Sequence, residues 1–281
     1  MHRAIDLRYA LRMDEHQKYP SDLSDARWHL VEPVLAAWRE RRQATALRAI
    51  LNAILYVDRT GIPWRHLPRD YPPWATVYWY FAAWRDDEVF IQLGGLLRRM
   101  VRTAEDCTPD PSACLIDAQS VKTSTDVPAG SQGIDAAKKI VGRKRHIVTD
   151  TLGLLLAVLV AAASVQDSTA ATTLIDRIAA GHPTIVKAWA DGGYRHHLVE
   201  HAATAGIDLQ IVQRPPATRG FTPLPRRWAI ERTFGWLMFH RRLARDYETL
   251  PASSEAMIHL AMIDNMSRRL TGESTPTWRI T

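Results

Sequence analysis

Cysteine is nearly absent: two of 281 residues, Cys107 and Cys114. Two thiols so placed give neither paired zinc spacing nor a disulfide framework, which suits a reducing compartment. Long apolar runs are missing too. The most apolar stretch, Leu152 to Val165, has 14 residues, whereas a bilayer-spanning helix needs about 20. A buried strand suits it better than a membrane span. The N-terminus has no signal-peptide pattern. Residues 1–18 carry Arg3, Arg8 and Arg12 with little periodicity and read as a disordered extension, with Met13 as a candidate start.

Basic charge is plentiful. Lys and Arg total 36 against 30 Asp and Glu, a net charge of +6 with pI near 9.5. That balance favours an anionic partner, most simply nucleic acid, over mere solubility. Thirty of the 36 basic residues are Arg, which suits bidentate phosphate contacts, although a GC-rich genome also favours Arg. The hydrophobic fraction, 46 %, supplies a sizeable core.

Residues 19–105 read as a small all-helical domain. Ser24 is a good N-cap, with Leu23 and Trp28 at the staple positions and Pro33 expected to kink or shorten the helix. After the basic loop Arg39–Arg42, the residues Leu47, Ile50, Leu51, Ile54 and Leu55 make an amphipathic face that Gly61 should end. Gly61-Ile-Pro-Trp-Arg-His-Leu-Pro68 and Pro72-Pro-Trp74 break regular structure. Two further helices follow, on the faces Val77–Trp84 and Phe90–Met100. Short helices with tight turns suit helix-turn-helix DNA binding, although most of the tryptophans read as core.

Residues 110–270 read as a mixed α/β domain, with 271–281 as a tail. Ala113–Lys122 is an apolar run that reads as a central strand and carries Asp117. A flexible loop is expected at 126–136. A strand at 146–150, a turn at 151–153 and a strand at 154–161 form a hairpin. Asp167 and Ser168 suggest a capped helix to Ile178. Ile185–Asp191 is a strand ending in a carboxylate. A helix over 194–205, a strand over 207–212 and a helix from near Arg226 complete the order. Lys138, Lys139, Arg143, Lys144 and Arg145 form the densest basic cluster, a candidate DNA contact. Asp150 sits in the turn and reads as structural. Asp167 is a decoy for the site, and His196, His197 and His201 read as solvated.

A carboxylate at the end of a buried strand needs a partner. Asp117 and Asp191 both end apolar strand runs, and Glu231 lies on the late helix. Hard carboxylate oxygens suit Mg²⁺ or Mn²⁺.

The motifs Leu115-Ile-Asp117-Ala-Gln-Ser120, Ala190-Asp191-Gly-Gly-Tyr194, Arg227-Trp-Ala-Ile-Glu231-Arg-Thr-Phe-Gly-Trp236 and Gly142-Arg-Lys-Arg-His146 resemble the DDE transposases of bacterial insertion sequences. Tyr19–Asp25, Gly61–Arg65 and Trp74–Tyr78 are similar to the helical domain of the insertion-sequence-five subgroup. The resemblance implies a ribonuclease-H-like catalytic domain behind a helical DNA-binding or dimerisation domain. It implies Asp117, Asp191 and Glu231 as catalytic metal ligands, two-metal-ion cleavage of element ends, and joining of the 3′-OH to target DNA. It also implies Arg227 and Arg232 as phosphate contacts, a homodimer or higher assembly on double-stranded DNA, no membrane, and a bacterial cytoplasmic, nucleoid-associated setting. A related signature has Tyr and Lys where this chain has Leu224 and Met238, so Arg241, Arg242 or Arg245 become candidates for the missing cation. A catalytically impaired DNA-binding protein and a nuclease of the same fold are the alternatives.

Overall fold

Local signals account for the first helices. The computed structural model describes residues 18–38, 44–212 and 228–275. Helix α1 (Asp25–Trp38) is capped by Ser24, whose Oγ accepts the Arg27 N–H at 3.2 Å. Leu23 and Trp28 are buried at its start, and Pro33 lies inside the helix without ending it. Helix α2 (Ala44–Thr60) stops at Gly61, whose φ of +76° is the left-handed conformation that glycine adopts freely. Helices α3 (Trp74–Asp86) and α4 (Val89–Ala104) follow, as the periodicity predicts. The Arg39–Arg42 loop lies outside the described residues.

The sheet contains strands β1 (Ala113–Lys122), β2 (Gly133–Asp135), β3 (Ile140–Asp150), β4 (Leu155–Ala162), β5 (Lys187–Asp191) and β6 (Asp208–Val212). Their order is β2-β3-β1-β5-β6, with β4 also on β3. The β1–β3 and β3–β4 pairs are antiparallel, whereas β5 is parallel to β1 and β6 to β5. Helices α5 (Asp167–Gly181) and α6 (His196–Thr204) make the parallel crossovers. Helices α7 (Trp228–Leu237) and α8 (Pro251–Thr271) end the chain's regular structure. This is the mixed, ribonuclease-H-like α/β class expected, behind a helical region.

Strand alternation splits the core in two. Cys114, Ile116 and Val148 face α5 and α6. Leu115, Ile147, Leu155 and Val158 face the other way and join one cluster with α1 to α4, α7 and α8. The first helices and the sheet are therefore packed through a shared core, closed by α8. Buried polar contacts seal it. Arg27 Nη2 lies 2.5 Å from Asp264 Oδ1, and Arg27 Nε donates to Ser267 at 3.0 Å. Burial alone would raise the Asp264 carboxyl, but Arg27 and Arg268 lead the cations that outweigh it and hold it below the usual range.

Four details depart from expectation, the first being that β3 begins at Ile140 instead of His146 and so takes in Arg143, Lys144 and Arg145. The 126–136 loop contains β2, which pairs with the start of β3. Helix α5 begins at Asp167 behind Gln166, and the Ser168 hydroxyl accepts the Arg195 N–H instead of capping its own helix. Helix α8 had no counterpart in the sequence reading. Among the described residues no helix is long and apolar enough to cross a membrane.

Candidate functional site

Asp117 lies within β1 and Asp191 ends β5. The last paired residues of these parallel strands are Ile116 and Ala190, so the two aspartates are the next residue on each. Since Ile116 and Ala190 face α5 and α6, alternation puts both aspartates on the opposite face. Asp117 also pairs with Ile147, which belongs to that face's cluster.

Local turns shape each aspartate. Asp117 Oδ1 accepts the Ala118 N–H at 2.7 Å. Asp191 Oδ1 accepts the Gly193 N–H at 2.9 Å, and a Cβ on Gly193 would lie 3.0 Å from that oxygen. Gly193 thus keeps the turn close to the carboxylate. Sequence reasoning passed over this role, although Asp followed two positions later by Gly is the mark of such a turn.

Helix α7, which carries Glu231, packs against β1 and shares the cluster of that face through Ala229, Ile230 and Leu237. The β3–β4 turn anchors this helix. Thr233 Oγ1 donates to the Gly153 carbonyl at 2.6 Å, and Arg232 Nη2 to the Leu152 carbonyl at 2.8 Å. Gly153 has φ +78°, and a Cβ there would meet the Ala229 carbonyl and Thr233 hydroxyl at 2.8 Å. Asp150 holds the turn from below: its Oδ1 accepts the Leu152 and Leu154 N–H groups at 2.9 Å, and its Oδ2 lies 2.7 Å from Arg102. Asp150 is structural, as expected.

One sheet face thus carries Asp117, Asp191 and the helix of Glu231. Hard oxygens on half-buried carboxylates are the right donor chemistry for a divalent cation. Among the described residues, however, no group of three or more His, Cys, Asp or Glu side chains is gathered as a metal site. The backbone brings the aspartate pair together; it does not complete a cage. His201 Nε2 lies 2.7 Å from Asp176, and the histidines of α6 form no metal cluster.

The basic cluster divides. Lys138 and Lys139 are exposed. Arg143 and Arg145 are fully buried, which removes them from any DNA-facing surface in this conformation. Arg143 donates to the Glu248 carbonyl at 2.7 Å and lies 3.2 Å from Asp246. Arg145 donates to the Leu243 carbonyl at 2.7 Å, and burial pulls it down to about 10, still a cation at neutral pH. Lys144 contacts Asp167 at 3.0 Å. Both faces of β3 are covered, so its cations point inward: Arg143 and Arg145 hold the segment after α7, and Lys144 holds the start of α5. Arg232 is likewise engaged, with its guanidinium 4.5 Å and 4.8 Å from the Trp228 and Trp236 rings. Asp167 serves Lys144. Arg242 is buried and pairs with Glu248 at 2.7 Å, while Arg241 and Arg245 are exposed. Arg227 and Leu224 lie outside the described residues, and Met238 is exposed.

Residues 108–266 match the family described as "Transposase DDE domain". This chain belongs to the transposase DDE-domain family. Residues 23–93 of this DDE-family chain match the family described as "Putative transposase of IS4/5 family". A relative described as "Putative transposase for insertion sequence element IS402", from Burkholderia cepacia, is 37 % identical over 118 residues, covering 38 % of this chain and 54 % of the relative. A second, the "Insertion element IS402 uncharacterized 16.2 kDa protein" of the same organism, is 30 % identical over 108 residues, covering 36 % and 72 %. The chain thus spans about half the length of the first of these relatives. No solved structure matches.

Proposed function

We propose that this DDE-family chain is a transposase that cuts the ends of an insertion sequence and joins the freed 3′-OH to target DNA. The observation that carries the reading is the matched register of Asp117 and Asp191 on adjacent parallel strands, facing α7. In this reading Asp117, Asp191 and Glu231 hold divalent cations, Mg²⁺ or Mn²⁺. Bound there, such ions supply Lewis acidity to a phosphodiester. The chain's residues do the rest. The aspartates fix the position of the reacting phosphate, and Gly193 keeps the Asp191 carboxylate in place. Arg232 and Thr233 hold Glu231's helix against the sheet, and a catalytic group misplaced by even about 1 Å loses much of its effect. Lys138 and Lys139 are the exposed cations of the basic cluster and serve as DNA backbone contacts, with Arg227 as a further candidate. The partners are double-stranded terminal repeats and target DNA, bound by two or more copies of the chain inside a bacterial cell.

The test is a plasmid carrying the element's ends, incubated with protein and Mg²⁺ or Mn²⁺. Metal-dependent cutting followed by strand joining is expected from wild type. Asp117→Asn should abolish both yet retain DNA affinity, because the phosphate backbone dominates binding. Cutting without joining would favour a nuclease, and DNA binding without cutting an impaired relative.

A further inference from the structure

The Gly61–Pro68 and Pro72–Trp74 stretches have no part in the reaction above, yet they wall a groove of about 720 Å³. Trp64, Trp74 and Tyr78 line it together with Tyr247 and Leu250 from the segment before α8. None of the three proposed metal ligands borders it. We propose that this groove binds an unpaired DNA base, stacked on its aromatic rings. The proposal rests on the DNA-acting reading and adds a second contact to it.

The chemistry favours a flat, neutral, polarisable guest. Tyr78 is 39 % exposed and Leu250 49 %, in a groove with a hydrophobic rim. Arg65 is exposed, and its guanidinium stands 4.6 Å from the Trp74 ring, so cation and ring already form a stack a base could extend. Arg242 stands 5.4 Å from the Tyr247 ring. The groove's carboxylates are Glu248, paired with Arg242 at 2.7 Å, and Asp126. Two cations and two anions cancel, so the groove carries no net charge, which disfavours a phosphate inside it. The buried Trp64 indole N–H has no acceptor among the described residues. Aromatic rings interleaved with arginine are how proteins hold unstacked bases, since every base offers a π-face.

The test compares fluorescence anisotropy of the full chain on a blunt duplex and on the same duplex with a short single-stranded overhang, at one salt concentration. The overhang should increase affinity. Trp74→Ala and Tyr247→Ala should each weaken overhang binding roughly 5- to 150-fold, leaving blunt-duplex affinity unchanged. Trp74→Phe keeps a ring and should retain most of the affinity. Trp79→Ala, on the same helix but off the groove, should match wild type. A 2-aminopurine in the overhang should be quenched by wild type and not by Trp74→Ala. Thermal melts of each variant confirm that it folds. Equal affinity of wild type for both duplexes, or overhang binding unmoved in Trp74→Ala and Tyr247→Ala, overturns the groove assignment while leaving the transposase reading intact. Loss of binding to a proline-rich peptide in those variants, with overhang affinity kept, overturns it in favour of a protein partner. Failure of wild type to bind any DNA overturns both readings.

Discussion

His146 is fully buried on β3, and Asp167 lies 3.9 Å from its Nδ1. Burial pushes the imidazole down to about 4, with Asp167 opposing and Lys144 and Lys138 adding to the effect. The unfolded chain takes up this proton near 6.5, the native chain only near 4. Between those values the unfolded state binds more protons, so stability rises with pH there and falls on acidification. The expected contribution is up to about 1.4 kcal/mol per pH unit. Urea titrations from pH 4.5 to 7.5 should show this slope in wild type and a shallower one in His146→Leu; equal slopes would remove His146 as its source. Gly153 gives a second residue-scale expectation. Alanine there must adopt φ +78° and press on the Ala229 carbonyl. Gly153→Ala should lower unfolding free energy by about 1–3 kcal/mol. It should also reduce cleavage at temperatures where the variant is still folded, because the anchor of α7 is displaced. Full activity in a folded variant would show that Glu231 does not depend on that anchor.

The inward cations of β3 matter at the scale of the element. Arg143 and Asp246 are both fully buried, and removing Arg143 takes from Asp246 its direct ion pair, leaving the Glu248 N–H, the Ser254 hydroxyl and the field of Arg145. Arg143→Met should therefore destabilise the protein by about 3–5 kcal/mol. Lys138→Ala with Lys139→Ala should leave the melting temperature nearly unchanged and weaken DNA binding with a smaller salt slope. Urea titration and salt-dependent binding separate the two cases; an Arg143→Met protein as stable as wild type would refute the clasp. In the sequence these residues form one basic cluster. Sequence shows charge but not the carbonyls of Leu243, Glu248 and Thr249 that accept from it, about 100 positions away. Helices α1 to α4 and the strands of Asp117 and Asp191 were legible because their apolar spacing is local. Helix α8 was not, because Ser253, Ser254, Asp264, Ser267 and Arg268 are buried within it and blur the amphipathic pattern. Their partners, such as Arg27, come from the far end of the chain. Strand β2 has three residues, too few for any periodicity. The aspartate pair could be named from motifs, but their shared face became visible only with the strand register.

For the whole molecule, the proposed metal site predicts a linkage. Mg²⁺ or Mn²⁺ that binds only the folded form should raise the melting temperature with concentration, and Asp117→Asn should respond less. A melt of both proteins, with and without metal at constant ionic strength, checks this. If metal shifts neither, the three carboxylates do not share an ion. The closing role of α8 has a different consequence, one of timing. Leu23 and the first helix, through Trp28, Val31 and Leu35, share a core with Met257 to Met266, and Arg27 is neutralised by Asp264. A ribosome delivers the first of these long before the last. Throughout synthesis the opening helices expose their apolar faces and carry an arginine without its acid. A chain cut off before α8 should therefore expose that surface and aggregate where the full chain stays dispersed, which light scattering of the two would show.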